Sequence, residues 1–219
     1  MCRNPCIDGN FTSEPYLKEA PELLLEKGPF NHEIEIIIGT NSEEGIFAIF
    51  DFIKDPSKWD YFRNNFDILG PMKLFGIKVP NKITIEDIQN AHKVVKFYAG
   101  SVENLNQEHL DQIIEMFTDA YFQYSTYKMV QFLTKWNITT YQYLLTFRGQ
   151  FSYSQLYGIE PMGVCHADDL IYLFDPVFGK GELKLNRTEV ALREVMTSAW
   201  TNFAKFGDPT PPGKNCEKV

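Results

Sequence analysis

Positive charge is scarce in this chain. Lysine and arginine total 21 against 29 aspartates and glutamates, giving a net charge of −8. Binding a phosphate backbone requires a cationic excess, so nucleic acid is not expected as a partner. No apolar run reaches the roughly 18 residues that a membrane-spanning helix needs, so no membrane span is expected. None of the four cysteines forms a Cys-x-x-Cys pair, which argues against zinc and thioredoxin-type sites. There is no internal repeat and no low-complexity segment. Met1-Cys2-Arg3-Asn4-Pro5-Cys6 lacks the apolar core of a signal peptide.

What is present is material for a core. Apolar residues make up 44% of the 219, and aromatics 15%, with 18 Phe and 11 Tyr. That suits a globular chain that is one large domain or part of one. Three glycosylation sequons begin at Asn10, Asn137 and Asn186. Sequons without a leader point to a start upstream of Met1 and to a secreted parent, with a cytoplasmic one as the alternative. Cys6 and Cys216 are left as candidates for disulfides to segments not in this chain.

In chain order, Glu22 to Lys27 suits a short helix ending at Gly28. Ile34 to Gly39 is a β-branched run without polar alternation from Ile36 onward, which suits a strand buried on both faces of a mostly parallel sheet. It runs into Gly39-Thr40-Asn41-Ser42-Glu43-Glu44-Gly45, and an apolar helical run follows. Residues 54–82 read as short helices broken by Pro56, Pro71 and Pro80. Thr84 and Asp87 form a capping box for a helix that Gly100 ends. A longer helix is predicted from after Asn106 to about Trp136, with a break near Ser125. Thr140 to Arg148 alternates as a strand does. A long loop, 149–165, then delivers Cys165-His166-Ala167-Asp168-Asp169. The last helix is predicted from about Arg187 to Phe206, capped by Asn186 with Glu189 and ended by Gly207.

Two residues in this layout can carry acid–base chemistry. Functional side chains of open α/β sheets gather just past the carboxyl ends of strands. Glu44 stands in that place after the first strand, and His166 follows the second. An imidazole served by a carboxylate is the base and acid of a serine esterase triad. By local chemistry alone His166 also reads as a loop histidine, and Glu44 as a helix-start carboxylate. Asp168 and Asp169 read as helix N-terminal acids. His32 with Glu33 and Glu35 alternates faces on an entering strand and does not make a metal site. His92 and His109 read as helix-surface residues. A Cys165 nucleophile is disfavoured, because adjacent side chains on extended backbone point apart.

The ordered motifs resemble the C-terminal half of type-B carboxylesterases, the cholinesterase-like serine esterases, and especially the insect α-esterase and juvenile-hormone-esterase group. The resemblance rests on Ile7-Asp8-Gly9-Asn10-Phe11, on Phe30-Asn31-His32 through Gly45, and on Phe117-Thr118-Asp119-Ala120-Tyr121-Phe122. It continues through Tyr141 to Phe147, Gly163 to Phe174, and Trp200 to Pro209. It implies an incomplete α/β-hydrolase fold, mostly helices plus a few strands, as the C-terminal portion of one such domain spanning residues 1–219. It also implies His166 as the general base and Glu44 as the triad acid, in preference to Glu43, because the family's acid directly precedes the glycine. The substrate class is a small carboxylic ester with apolar parts, and no cofactor is implied.

The family's triad runs serine, acid, histidine in chain order. No Gly-x-Ser-x-Gly occurs in these residues, and Ser13, the serine preceding the acid loop, has no elbow glycines. A glycine-rich oxyanion loop is likewise not found. The expectation is therefore a fragment carrying acid and base, inactive alone and poorly stable without the N-terminal half of the same domain. The alternative is a non-catalytic cholinesterase-like protein used in binding or adhesion.

Overall fold

Two short strands bring distant parts of the chain side by side. Ile36–Asn41 (β1) and Thr140–Leu145 (β2) pair in parallel, with Ile36 opposite Thr140 and Asn41 opposite Leu145. Both strands end at the same level, so the loops after them leave from one edge. The computed structural model describes residues 13–28, 33–174 and 183–213. The motifs at residues 7–11 and 30–32 lie outside these, as do Cys2, Cys6, Asn10, His32 and Cys216.

Around the strands are Pro21–Lys27 (α1), Phe50–Lys54 (α2), Lys58–Asn64 (α3), Phe66–Phe75 (α4), Ile85–Ala99 (α5), Leu110–Thr118 (α6), Tyr124–Lys135 (α7), Leu170–Leu173 (α8) and Arg187–Phe206 (α9). The architecture is α/β, dominated by helices. α5 begins where Thr84 and Asp87 cap each other, and α9 where Asn186 and Glu189 do the same. These boxes satisfy backbone N–H groups that no helical carbonyl can reach. Gly207 ends α9 at φ 69°, a left-handed conformation that favours glycine.

Four expectations shift. β1 starts at Ile36 rather than Ile34 and continues to Asn41, and its isoleucines are only half-buried. β2 stops at Leu145, because its partner strand stops at Asn41. Pro71 lies inside α4 instead of breaking it. The long helix is interrupted at Asp119–Gln123, where one turn widens to π geometry, rather than near Ser125. Such turns insert a residue and re-aim the side chains around them.

Two apolar cores flank the strand pair. The larger joins α2 to α6 through Trp59, Phe62, Phe66, Val95, Ile113 and Phe117, and takes in Ile46 and Ile49 from the turn after β1. The smaller gathers Leu145, Val164, Ile171, Tyr172 and Met196 around α8 and α9. Full burial of one such side chain contributes about 1.5–3 kcal/mol. Several large apolar side chains stay exposed, including Phe97, Phe174 and Tyr124.

Candidate active site

β1 and β2 end beneath two loops, and those loops touch through polar groups. After β1 the chain tightens into a 3-10 turn, Glu44–Ile49, that begins with the acid. Gly45 is needed there, because a Cβ would lie 2.1 Å from the Ile114 carbonyl oxygen and 2.7 Å from the Thr118 nitrogen. Thr118 Oγ1 accepts from the Gly45 N–H at 2.8 Å and donates to the Ile114 carbonyl. The turn is thus pressed onto α6, and Glu44 is fixed with it.

Glu44 and His166, 122 residues apart, meet at 2.7 Å between Oε2 and Nδ1. The other oxygen of Glu44 accepts from the Asn41 N–H at 2.8 Å, so both carboxylate oxygens are held. Glu44 is 5% exposed, whereas the imidazole is 43% exposed. Among the described residues Nδ1 makes the imidazole's hydrogen bond, so Nε2 is the nitrogen left without one. The Glu44 carboxylate accepting from Nδ1 raises the His166 pKa above its ordinary value, against the opposing effect of burial. Phe47 and Phe122 bracket the ring, with centroids 5.1 and 4.9 Å away.

Glu43 is occupied elsewhere. Its carboxylate accepts from Ser42 Oγ and from the Val164 N–H, while its own N–H donates to the Val164 carbonyl. Cys165 is buried, and desolvation pushes its thiol up to about 12, so it is not poised as a nucleophile.

Asp168 and Asp169 precede α8, but neither caps it. Asp168 accepts from Ser152 Oγ, from the Tyr153 N–H and from the Cys165 N–H. Asp169 accepts from Tyr143 Oη at 2.8 Å and from Asn41 Nδ2 at 3.4 Å. Both aspartates stand at the N-terminal end of α8 as expected, but their carboxylates bond to these groups and not to the helix's own N–H groups. Asn41 also donates through Nδ2 to the Cys165 carbonyl at 2.7 Å. Asn41, Phe47, Phe122 and Ser152 lie around the candidate site, and the chain order does not reveal them. The one signal for Asn41 and Phe47 is proximity, three residues on either side of Glu44.

A cavity of about 1200 Å³ opens between α4, α5 and the π turn. It is lined by Leu74, Val94, Met116, Tyr121, Phe122 and Tyr127 among others. Phe122 therefore borders both the cavity and the imidazole. Of the sequons, Asn137 is exposed at a φ of 56°, and Asn186 uses its side-chain oxygen to cap α9.

A parallel strand pair whose adjoining ends carry a carboxylate-bound histidine places the chain among α/β proteins of the hydrolase type. The profile of the Carboxylesterase family matches residues 2–218, and the chain belongs to that family. It is similar to juvenile hormone esterase of Tribolium castaneum, 28% identical over 211 residues that make up 90% of this chain and 34% of that protein. Venom carboxylesterase-6 of Apis mellifera is 22% identical, covering 91% of this chain and 35% of its own length. Neuroligin-3 of Homo sapiens is 26% identical over 95% of this chain and 23% of its own. The chain thus spans about a third of the length of the two esterases. Among the described residues, no helix is long and apolar enough to cross a membrane.

Proposed function

We propose that these residues supply the acid–base half of a carboxylic ester hydrolase acting through an acyl-serine intermediate. His166 Nε2 takes the proton of a serine hydroxyl and returns it to the leaving alcohol. Glu44 holds the imidazole in the Nδ1–H tautomer and stabilises its cation. The observation that carries this reading is the 2.7 Å pairing of His166 with a buried, doubly held Glu44. The aromatic cavity beside Phe122 supports a substrate with apolar parts. The 219 residues are read as the C-terminal portion of a single carboxylesterase domain. The serine and the oxyanion donors come from the rest of that domain, and no cofactor is required. The exposed apolar side chains support a further covering of this kind. The parent is read as a secreted glycoprotein, with Asn10, Asn137 and Asn186 as its attachment sites and disulfides among its cysteines.

A non-catalytic binding protein of the same family has no need for a held imidazole, so the pairing favours hydrolysis. The test is a fluorophosphonate serine probe. It is expected to leave the 219-residue chain unlabelled and to label a protein in which Gly-x-Ser-x-Gly precedes these residues in frame. Labelling of the short chain, or a parent without that serine, overturns the proposal.

A further inference from the structure

Ala167, directly after the proposed base, has a φ of +71°. Left-handed backbone crowds a Cβ against the following carbonyl, so alanine adopts it only when the surroundings enforce it. The enforcing contacts converge on one side chain. Asp168 Oδ2 accepts from the Cys165 N–H at 2.8 Å, and the Asp168 N–H donates back to the Cys165 carbonyl at 3.1 Å. This reciprocal pair closes a loop around His166 and Ala167. Asp168 Oδ1 accepts from the Tyr153 N–H at 2.7 Å and Ser152 Oγ at 3.0 Å, anchoring the loop to a second segment. Asp168 is 4% exposed and Ser152 1%, so water does not compete for these bonds.

We infer that Asp168 is a positioning residue: its carboxylate holds Ala167 in the left-handed turn that aims the His166 imidazole at Glu44. The inference rests on the reading of His166 as the base. It assigns Asp168 no contact with the reacting atoms. An amide in its place cannot do the same work. Its single oxygen serves either Cys165 or the Ser152–Tyr153 pair, and its NH2 then faces the donors on the other side. Without the clasp, Ala167 relaxes toward right-handed backbone and the ring leaves Glu44. Glycine at 167 takes the left-handed conformation without steric penalty and so makes the clasp dispensable.

The test follows the His166 ring by 15N NMR in an intact carboxylesterase domain containing these residues. Two quantities are read, the pKa and the survival of the Nδ1–H signal against exchange. In Asp168→Asn the pKa is expected to fall toward the ordinary histidine value and the Nδ1–H signal to be lost. In Asp168→Asn with Ala167→Gly, most of both should return. Ala167→Gly alone should keep both and raise Tm. The glycine rescue separates geometry from charge. Asp168 is one of three carboxylates near the ring, with Glu44 and Asp169, and losing its charge alone lowers the His166 pKa. Glycine restores no charge. A double variant no better than Asp168→Asn, or an Asp168→Asn that keeps its Nδ1–H signal, overturns the inference. If Asp168→Asn does not fold, Ser152→Ala takes its place, with a smaller loss that Ala167→Gly restores; no loss there also overturns it. Wild-type protein without a raised His166 pKa would instead defeat the pairing on which the proposed function stands.

Discussion

The two halves of this molecule are held together by different forces. Around His166, polar groups on β1, β2 and their loops lock to one another through directional bonds. Asn41 alone bonds to Glu44, Cys165 and Asp169. In the helical layer of α2 to α6, Trp59, Phe62, Phe66 and Phe117 pack by shape, with few polar constraints. Apolar packing is roughly additive in area and tolerates substitution of similar volume. A polar clasp works in one geometry or fails. Changes in the clasp should therefore alter chemistry more than stability, and changes in the helical layer should do the reverse.

The largest expected effect tests the first half of that contrast. In an intact enzyme containing these residues, Glu44→Gln should lower kcat by about 10³–10⁴-fold, because an amide can hold the ring in the wrong tautomer and cannot stabilise the imidazolium. Its Tm should stay within a few degrees of wild type. A loss in kcat matched by global unfolding would erase the distinction between the regions. Phe117→Ala comes next, with a stability loss of about 3–5 kcal/mol from the cavity left in the helical layer. Denaturant melts read that loss. The His166 pKa of the folded fraction should not move, and if it does, the two regions are coupled through α6.

The same contrast explains what the sequence reveals. The helices of the apolar layer write themselves in local periodicity and caps, so α5 and α9 are read to within a residue of their observed ends. The strands are read less well, because a strand extends only as far as its partner: the alternation through Phe147 outlasts the pairing, which ends at Leu145. The π turn has no local mark. Asp119–Gln123 contains no proline or glycine, and the widening appears only where Phe122 meets His166 and Gln123 Nε2 donates to Thr40 Oγ1. Glu44 and His166 are singled out through chain order and family motifs rather than periodicity, and the structure brings the two side chains together. Asp168 stands at the start of α8 as the chain order suggests, but its donors, Cys165 three residues back and Tyr153 and Ser152 at 15 and 16 residues, leave no local mark.

Gly45 lies where the two regions touch, and substituting it sharpens the comparison. A Cβ in Gly45→Ala would meet backbone atoms of α6, which cannot rotate away, so the turn or the helix must shift. A cost of about 1–3 kcal/mol is expected from overpacking, together with a lowered His166 pKa, since Glu44 is carried on the same turn. A stable variant with unchanged His166 titration would show that the contact is slack.

The smallest effect is a pH dependence in which chemistry and stability run in opposite directions. The Glu44 carboxylate raises the folded-state pKa of His166. The pair therefore stabilises the fold fully below the unfolded histidine value, and that contribution is lost as pH rises through the higher folded value. A general base must be neutral, so hydrolysis by an intact enzyme rises over the same interval. Because the imidazole is 43% exposed, solvent screens the pair and the change in stability should be slight. In Glu44→Gln the acid limb of kcat/KM should move to lower pH, and the pH-dependent step in the denaturant midpoint should shrink, because the folded value falls back toward the unfolded one. If only the kinetic limb moved, the titrating group would be something other than the histidine that Glu44 holds.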